Sequence, residues 1–396
     1  MDFRLGEESD AFRGLVREFL DEHLTDEVRE RVHETGTVHD WGFHRALGER
    51  GWIAASWPVE YGGQGRSPFE LTAMREELRL AGAPTDGLGT TLIVARTINH
   101  LGAPELKERI LPSVLAGEML LALGYSEPDA GSDAAAAKTR AVRDGDEWVI
   151  TGQKMFTTLA HEAAYVFLLA RTNLDVPKHQ GLTIFLVPLD APGVEITPVH
   201  TLGGERTNVT YYNDVRVPDT LRVGDVDRGW DVAQVALAFE RGGMGLTESD
   251  RMWRQAVEWA ADTERDGRPV IEDPLVRERL ARVAIDNEVA KLLAYRVSWV
   301  VASGGLPSIE GSMHKLFYAE RFQNAVGELM DVLGPDAVLA HGVDDAPVDG
   351  WVEHQYRHAP VTTIYGGTSE VMRNIIAEHG LGLPRARRSK APDPPG

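Results

Sequence analysis

Two changes of period divide this chain. From Glu8 to about Gly117 apolar residues recur at spacings of three and four, so that "DAFRGLVREFLDEHL" sets Phe12, Leu15, Val16, Phe19 and Leu20 on one helical face. "FHRALGERGW", "PFELTAMREELRLAG" and "PELKERILPSVLAG" repeat the habit with Gly or Pro punctuation. Between about Glu118 and Val223 the texture turns to short β-branched and aromatic runs, among them "EWVITGQKMF", "YVFLLART", "LTIFLVPL" and "VTYYNDVRVP". Turn clusters such as "RDGDE" and "LDAPG" separate them. From Gly229 helical patterning returns in "GWDVAQVALAFERGG" and "HKLFYAERFQNAVGELMDVLG". The order predicts an α+β chain with a helical domain over 1–117, a β-domain over 118–223 and a second helical domain over 224–385. A proline-rich, basic, flexible tail follows over 386–396.

Composition narrows the partners. A formal net charge of −20 argues against nucleic acid or an anionic membrane surface as the main partner, because that field repels polyphosphate. The absence of cysteine excludes disulfides, thiolate metal sites and a cysteine nucleophile. No long apolar run or signal-like N-terminus stands out, so the expectation is a cytoplasmic protein without a membrane span. Several motifs fail on inspection. "HEAAY" begins like a zinc-binding HExxH but ends in Tyr165, so no metal is assigned, and "GYSEP" lacks the last glycine of a nucleophile elbow. Neither GxGxxG nor GxxxxGK[ST] occurs, which argues against a nicotinamide Rossmann site.

Six fragments then occur in a fixed order: "WPVEYGGQG", "GYSEPDAGSD", "TGQKMFTT", "NDVRVPD", "AFERGG" and "IYGGTSEVMRNIIAEHGLGLPR". Together with the helical, β, helical layout they resemble the acyl-CoA dehydrogenase family of flavoproteins, over essentially the whole chain to Arg385. The resemblance implies an N-terminal helical domain, a middle β-barrel or sandwich and a C-terminal four-helix bundle. It also implies an FAD held between the β-domain and the second helical domain and reaching a neighbouring subunit.

Residue by residue, the resemblance implies that Tyr125 and Ser126 lie at the flavin pyrimidine edge. Phe156 takes the usual tryptophan place beside the isoalloxazine, and Thr157 and Thr158 follow it, with Thr158 matching the hydroxyl that bonds N5. Ser132 matches a CoA contact. Thr368 and Glu370 match residues on the diphosphate and adenylate side, with Ser369 beside them; Glu370 replaces a frequent Gln, and a carboxylate cannot donate to phosphate. "DVLGPDA" brings Asp331 and Gly334 to a cofactor-facing turn. "ERDGRPVIED" offers Arg265 and Arg268 but lacks the Phe of the family's cross-subunit segment, which weakens the adenine clamp.

The family's reaction is α,β-dehydrogenation of an acyl-CoA thioester, which needs a base for the α-proton and hydrogen bonds to the developing enolate oxygen. A carboxylate in a water-poor pocket suits the base, since desolvation raises its pKa. Many members carry that Glu just before the "GTS" of the closing loop; here the position is Gly366. The family's second location, on the first long helix of the last domain, matches Glu240. There Val232, Val235 and Phe239 follow a buried spacing, and Gly242 and Gly243 come after. An ion pair with adjacent Arg241 would be the structural alternative, but neighbours in a helix do not face each other.

The expectation is therefore Glu240 as base, the Gly366 N–H at the thioester carbonyl, and Arg241 and Tyr365 with Ser132 at the substrate. Electron-transfer flavoprotein is the oxidant. The phrases look most like actinobacterial members acting on bulky or steroid side-chain esters, assembled as homotetramers or α2β2 heterotetramers. An acyl-CoA oxidase, a dehydrogenase of carrier-protein-bound acyl groups and a non-catalytic subunit of a heteromeric enzyme remain alternatives.

Overall fold

The computed structural model describes residues 3–59, 62–241 and 248–385, the side chains of Glu240 and Arg241 excepted. The first domain is built from α1 (Glu7–His23), α2 (Asp26–Thr35), α3 (Trp41–Glu49), α4 (Pro68–Leu80), α5 (Asp86–Leu101) and α6 (Pro104–Leu115). Helix α1 buries Phe12, Val16, Phe19 and Leu20, while Leu15, at the margin of that stripe, is 44% exposed. Helix α4 starts where the sequence allows it. Ser67 and Glu70 form a reciprocal capping box, and Pro68 occupies the first turn, where its missing N–H costs nothing.

The middle domain is one eight-stranded sheet of β1 (Leu121–Gly124), β2 (Arg140–Asp144), β3 (Glu147–Lys154), β4 (Tyr165–Arg171), β5 (Leu182–Pro188), β6 (Val194–His200), β7 (Arg206–Pro218) and β8 (Arg222–Val223). Its order is β6-β7-β3-β2-β4-β5-β8, antiparallel except at β4, which pairs in parallel with β1 along four residues and with β2 only through Arg140 and Arg171. Strands β4 and β5 are buried from Val166 to Arg171 and from Leu182 to Val187, which explains why their sequences run apolar without alternation.

Helix α7 (Gly229–Arg241) follows, then α8 (Glu248–Asp262), the hairpin β9 (Glu264–Arg265) and β10 (Arg268–Pro269), α9 (Pro274–Ala302), α10 (Ser308–Leu333), α11 (Trp351–Thr362) and α12 (Ser369–Ile375). Helices α8 to α11 pack around Met252, Leu280, Phe322, Leu329 and Val352 as the C-terminal bundle. Helix α7 does not share that core. It lies against α5 and β5, and its Val232 and Ala236 belong to an apolar cluster that joins the sheet to helices α5 and α6. No helix among the described residues is long and apolar enough to cross a membrane.

Candidate active site

Helices α4, α5, α8 and α11, the loop before β7 and the closing loop at 363–368 surround a cavity of about 1050 Å3. Phe156, Thr158, Tyr365 and Gly366 all line it, as does Phe239, the residue before Glu240. These five positions thus come together from three separate stretches of chain. Glu240 itself stands in the last turn of α7, and its side chain and that of Arg241 lie outside the described residues, as do Gly242 and Gly243. Val232 is buried, whereas Val235 is half-buried.

Local backbone geometry delivers the aromatic wall. Phe156 has φ 60, a left-handed conformation that costs a side-chain-bearing residue, and the residue is 59% exposed. The turn divides the two threonines that follow. Thr158 faces the cavity, its hydroxyl 3.3 Å from that of Thr207. Thr157 is fully buried instead: its hydroxyl lies 3.4 Å from that of Thr210, its N–H donates to the Asn208 carbonyl, and its own carbonyl accepts from Asn208 Nδ2. All of its polar groups are therefore engaged inside the sheet domain.

In the closing loop, Gly366 and Gly367 have φ 64 and 91, the left-handed region in which glycine is the default. A Cβ at 367 would also stand 2.5 Å from the Met372 methyl. Thr368 caps α12, its hydroxyl accepting from the Val371 N–H at 3.2 Å, and Glu370 is exposed one position into the helix. The buried Ser369 hydroxyl has no hydrogen-bond partner among the described residues.

Other expected positions stand apart from the cavity lining. Tyr125 packs its ring against Phe167, the Ser126 carbonyl accepts from Met155 N–H at 2.8 Å, and Ser132 is exposed. Arg265 reaches from β9 to the carbonyls of Val332 and Leu333, and its guanidinium closes on Gly334, where a Cβ would be only 2.8 Å away. Asp331 pairs with Arg279 at 2.9 Å. Arg265 and Gly334 thus meet each other at the end of α10, outside the lining of the cavity that Gly366 faces.

The cavity also holds charges that sequence reasoning passed over. Arg75 and Arg79 on α4, Asp86 and Arg96 on α5, and Glu248 and Arg251 on α8 face into it. Burial raises the carboxyls of Asp86 and Glu248 above their ordinary range, although Arg79 pulls against it in both. The signal was present: 75 and 79 fall on the same face of α4 as Leu71, Met74 and Leu78, so two arginines interrupt an apolar stripe. Among the described residues no group of His, Asp or Glu is arranged to hold a metal.

At one wall the β-domain is strapped to the bundle. Glu205 Oε1 meets His358 Nδ1 at 2.7 Å, Thr201 donates to Oε2 at 2.8 Å, and Arg357 donates to the Leu202 carbonyl at 2.8 Å. Burial alone would raise Glu205, but the His358 bond and charge and the Thr201 hydroxyl outweigh it and hold the carboxyl at about 2. Burial would lower His358, and Glu205 outweighs it in turn, so the imidazole is raised. The contribution of Glu205 is thus present above its ordinary 4.5 and lost as pH falls toward 2. That of His358 is present below its ordinary 6.5 and lost as pH climbs through the raised value. The stability difference between the protein and Glu205→Gln, followed by urea denaturation across pH, is expected to be largest between about 4.5 and 6.5. A difference that stays flat with pH would show that the strap carries no ion pair.

Comparison with known proteins adds to this geometry. Three family models match consecutive segments: "Acyl-CoA dehydrogenase, N-terminal domain" over residues 6–118, the middle domain over 122–215 and the C-terminal domain over 227–381. Acyl-CoA dehydrogenase FadE26 of Mycobacterium tuberculosis is 41% identical over 356 residues, covering 86% of this chain and 87% of that protein. Among solved structures, the ChsE4-ChsE5 complex from Mycobacterium tuberculosis aligns with TM-score 0.88 and 37% identity, covering 98% of this chain and 100% of the matched one. The Tcur3481-Tcur3483 steroid ACAD aligns with TM-score 0.87 and 35% identity over 98% of this chain and 100% of that one.

Proposed function

Because the chain belongs to the acyl-CoA dehydrogenase family, we propose that it removes hydrogen from the α and β carbons of a bulky acyl-CoA thioester, with Glu240 as base. The observation that carries the reading is the single cavity shared by Gly366, Tyr365, Phe156 and Thr158, with Phe239 beside the base. At about 1050 Å3 it reaches the upper end of the range of small-molecule pockets, room for a fused-ring or branched acyl group.

FAD is the cofactor the family implies, and the residues fit it. An aromatic ring is held outward on a left-handed backbone, a hydroxyl stands next to it, and a buried serine hydroxyl lacks a partner among the described residues at the start of α12. When bound, FAD supplies the hydride acceptor. The chain's own tasks are then distinct. Glu240 takes the α-proton. The Gly366 N–H donates to the thioester oxygen as negative charge develops there. Tyr365 closes the acyl side, and Arg241 and Ser132 serve the CoA moiety. Phe156 walls the isoalloxazine, while Thr158, Ser126 and Tyr125 serve its polar edge. Thr157, with every polar group engaged, supports the turn instead of donating to the cofactor.

Arg265, Asp331, Gly334, Thr368 and Glu370 do not line the cavity, and this favours a cofactor whose adenylate half is completed between two chains. A relative solved as a two-component complex supports a heteromeric assembly. Electrons then pass to electron-transfer flavoprotein.

Anaerobic titration of the flavin-loaded protein with short, branched and steroid-type acyl-CoA esters tests the reading. Bulky esters are expected to bleach the flavin and short ones to do so poorly; no bleaching by any ester would sink it. A chain that purifies without flavin, and acquires it only with a related partner, would favour a subunit that completes another chain's site.

A further inference from the structure

Helix α4 turns Arg75 and Arg79 toward the cavity among Leu71, Met74 and Leu78, and α5 turns Arg96 toward it beside Ile93. The three guanidiniums differ in their company. Arg79 has Glu248 and Asp86 near enough to favour its charge. Arg96 donates to a neutral acceptor, the Ser56 hydroxyl, at 3.1 Å. Among the described residues Arg75 has no hydrogen-bond or ion-pair partner, and the charged groups among them that act on it are cations. Burial first, then repulsion from Arg96 and Arg79, pulls it down to about 9, so it remains protonated at neutral pH.

An uncompensated guanidinium inside a cavity is costly, and this chain is not short of acids. The two carboxylates next to Arg75 in sequence are committed elsewhere: Glu76 and Glu77 pair with Arg13, and Glu77 also with Arg17, on the α1 side of the helix. Among the described residues, the cavity wall at Arg75 and Arg96 therefore presents positive charge without an anion paired to either guanidinium. The same cavity extends to Gly366, so one ligand can occupy both ends.

Resting on the reading of this cavity as an acyl pocket, we propose that Arg75 and Arg96 receive a carboxylate carried on the acyl group at its end remote from the thioester. A guanidinium fork matches a carboxylate in charge and shape, whereas a ketone or hydroxyl would leave the cations unbalanced. The substrate class is then an acyl-CoA that is also a carboxylic acid, and Arg75 is the principal determinant of that specificity.

Matched 2-enoyl-CoA esters, one methyl-ended and one carboxyl-ended, test this by isothermal titration without turnover. The protein is expected to bind the carboxyl-ended ester at least about tenfold more tightly, the scale of a charge-assisted hydrogen bond. Arg75→Gln is expected to abolish that preference and leave the methyl-ended affinity within about twofold, Arg96→Gln to reduce it, and Arg75→Lys to restore part of it. Equal affinities in the unaltered protein would overturn the proposal. Equal weakening of both esters in Arg75→Gln would also overturn it, because the anion served would then be a CoA phosphate. If neither ester binds, the acyl-CoA reading itself fails. In that case free hexanoate judges the arginine site alone: saturable binding lost in Arg75→Gln keeps the anion site, and no binding removes it.

Discussion

Replacing Glu240 by Gln is expected to slow anaerobic flavin reduction by a bulky acyl-CoA ester by ~10^2 to 10^4-fold, with flavin content unchanged. Gln keeps the size and shape of the side chain and removes its basicity, so the loss isolates proton removal from packing. The position is favourable on two grounds. Phe239, immediately before it, already lines the cavity, and the closing loop brings glycine, with no carboxylate, to the cavity at 366. Glu248 provides an internal comparison. It also faces the cavity, burial raises its carboxyl, and one of its oxygens has no hydrogen-bond partner among the described residues. If Glu248→Gln shows the large loss and Glu240→Gln reduces flavin at the normal rate, the base is Glu248.

The second large effect is on stability. Lys154, at the end of β3, is completely buried, and its Nζ meets Glu127 Oε1 at 2.8 Å. Glu127 also accepts from the N–H groups of Lys138 and Thr139, at 2.7 and 2.9 Å. It thereby closes the loop that carries Ser126 and Ser132. Burial pulls Lys154 down to about 8 even with Glu127 beside it, while Lys154 holds Glu127 below its ordinary range against the opposing effect of burial. Lys154→Met keeps the apolar stem and leaves the carboxylate buried without its counter-charge, so unfolding free energy is expected to fall by about 3–5 kcal/mol. The double variant Lys154→Met, Glu127→Gln should recover part of that loss, since the orphaned charge is gone. Urea denaturation of the three proteins measures it; a single variant within about 0.5 kcal/mol of the parent would mean that the pair does not hold the loop.

The same residues show what could be read from sequence. The three-part order was legible because apolar period is a property of each element alone, and β4 and β5 announced burial on both faces by running apolar throughout. The cavity members Phe156, Thr158, Tyr365 and Gly366 were legible through the family's motifs. The burial of Thr157 was not legible, because the reversal at Phe156 separates it from its neighbour and no motif records a backbone angle. Arg75 and Arg79 were visible as interruptions of the α4 stripe, yet a stripe does not say whether its charge meets a partner or a void. The Glu205 strap was hidden for another reason: its halves lie 153 residues apart, and nothing local marks a loop glutamate for a histidine on α11.

The allegiance of α7 has a practical consequence. Sequence order groups this helix with the bundle, but its Val232 and Ala236 are rooted in the core that the sheet shares with α5 and α6, while the loop bearing Gly366 belongs to the bundle side. A chimera cut before Gly229 would tear α7 from its packing partners and deliver a mismatched core. One cut after Arg241 keeps that core intact and exchanges the closing loop as a separate cassette. Recombination between related chains should therefore tolerate crossovers behind α7 and reject them in front of it.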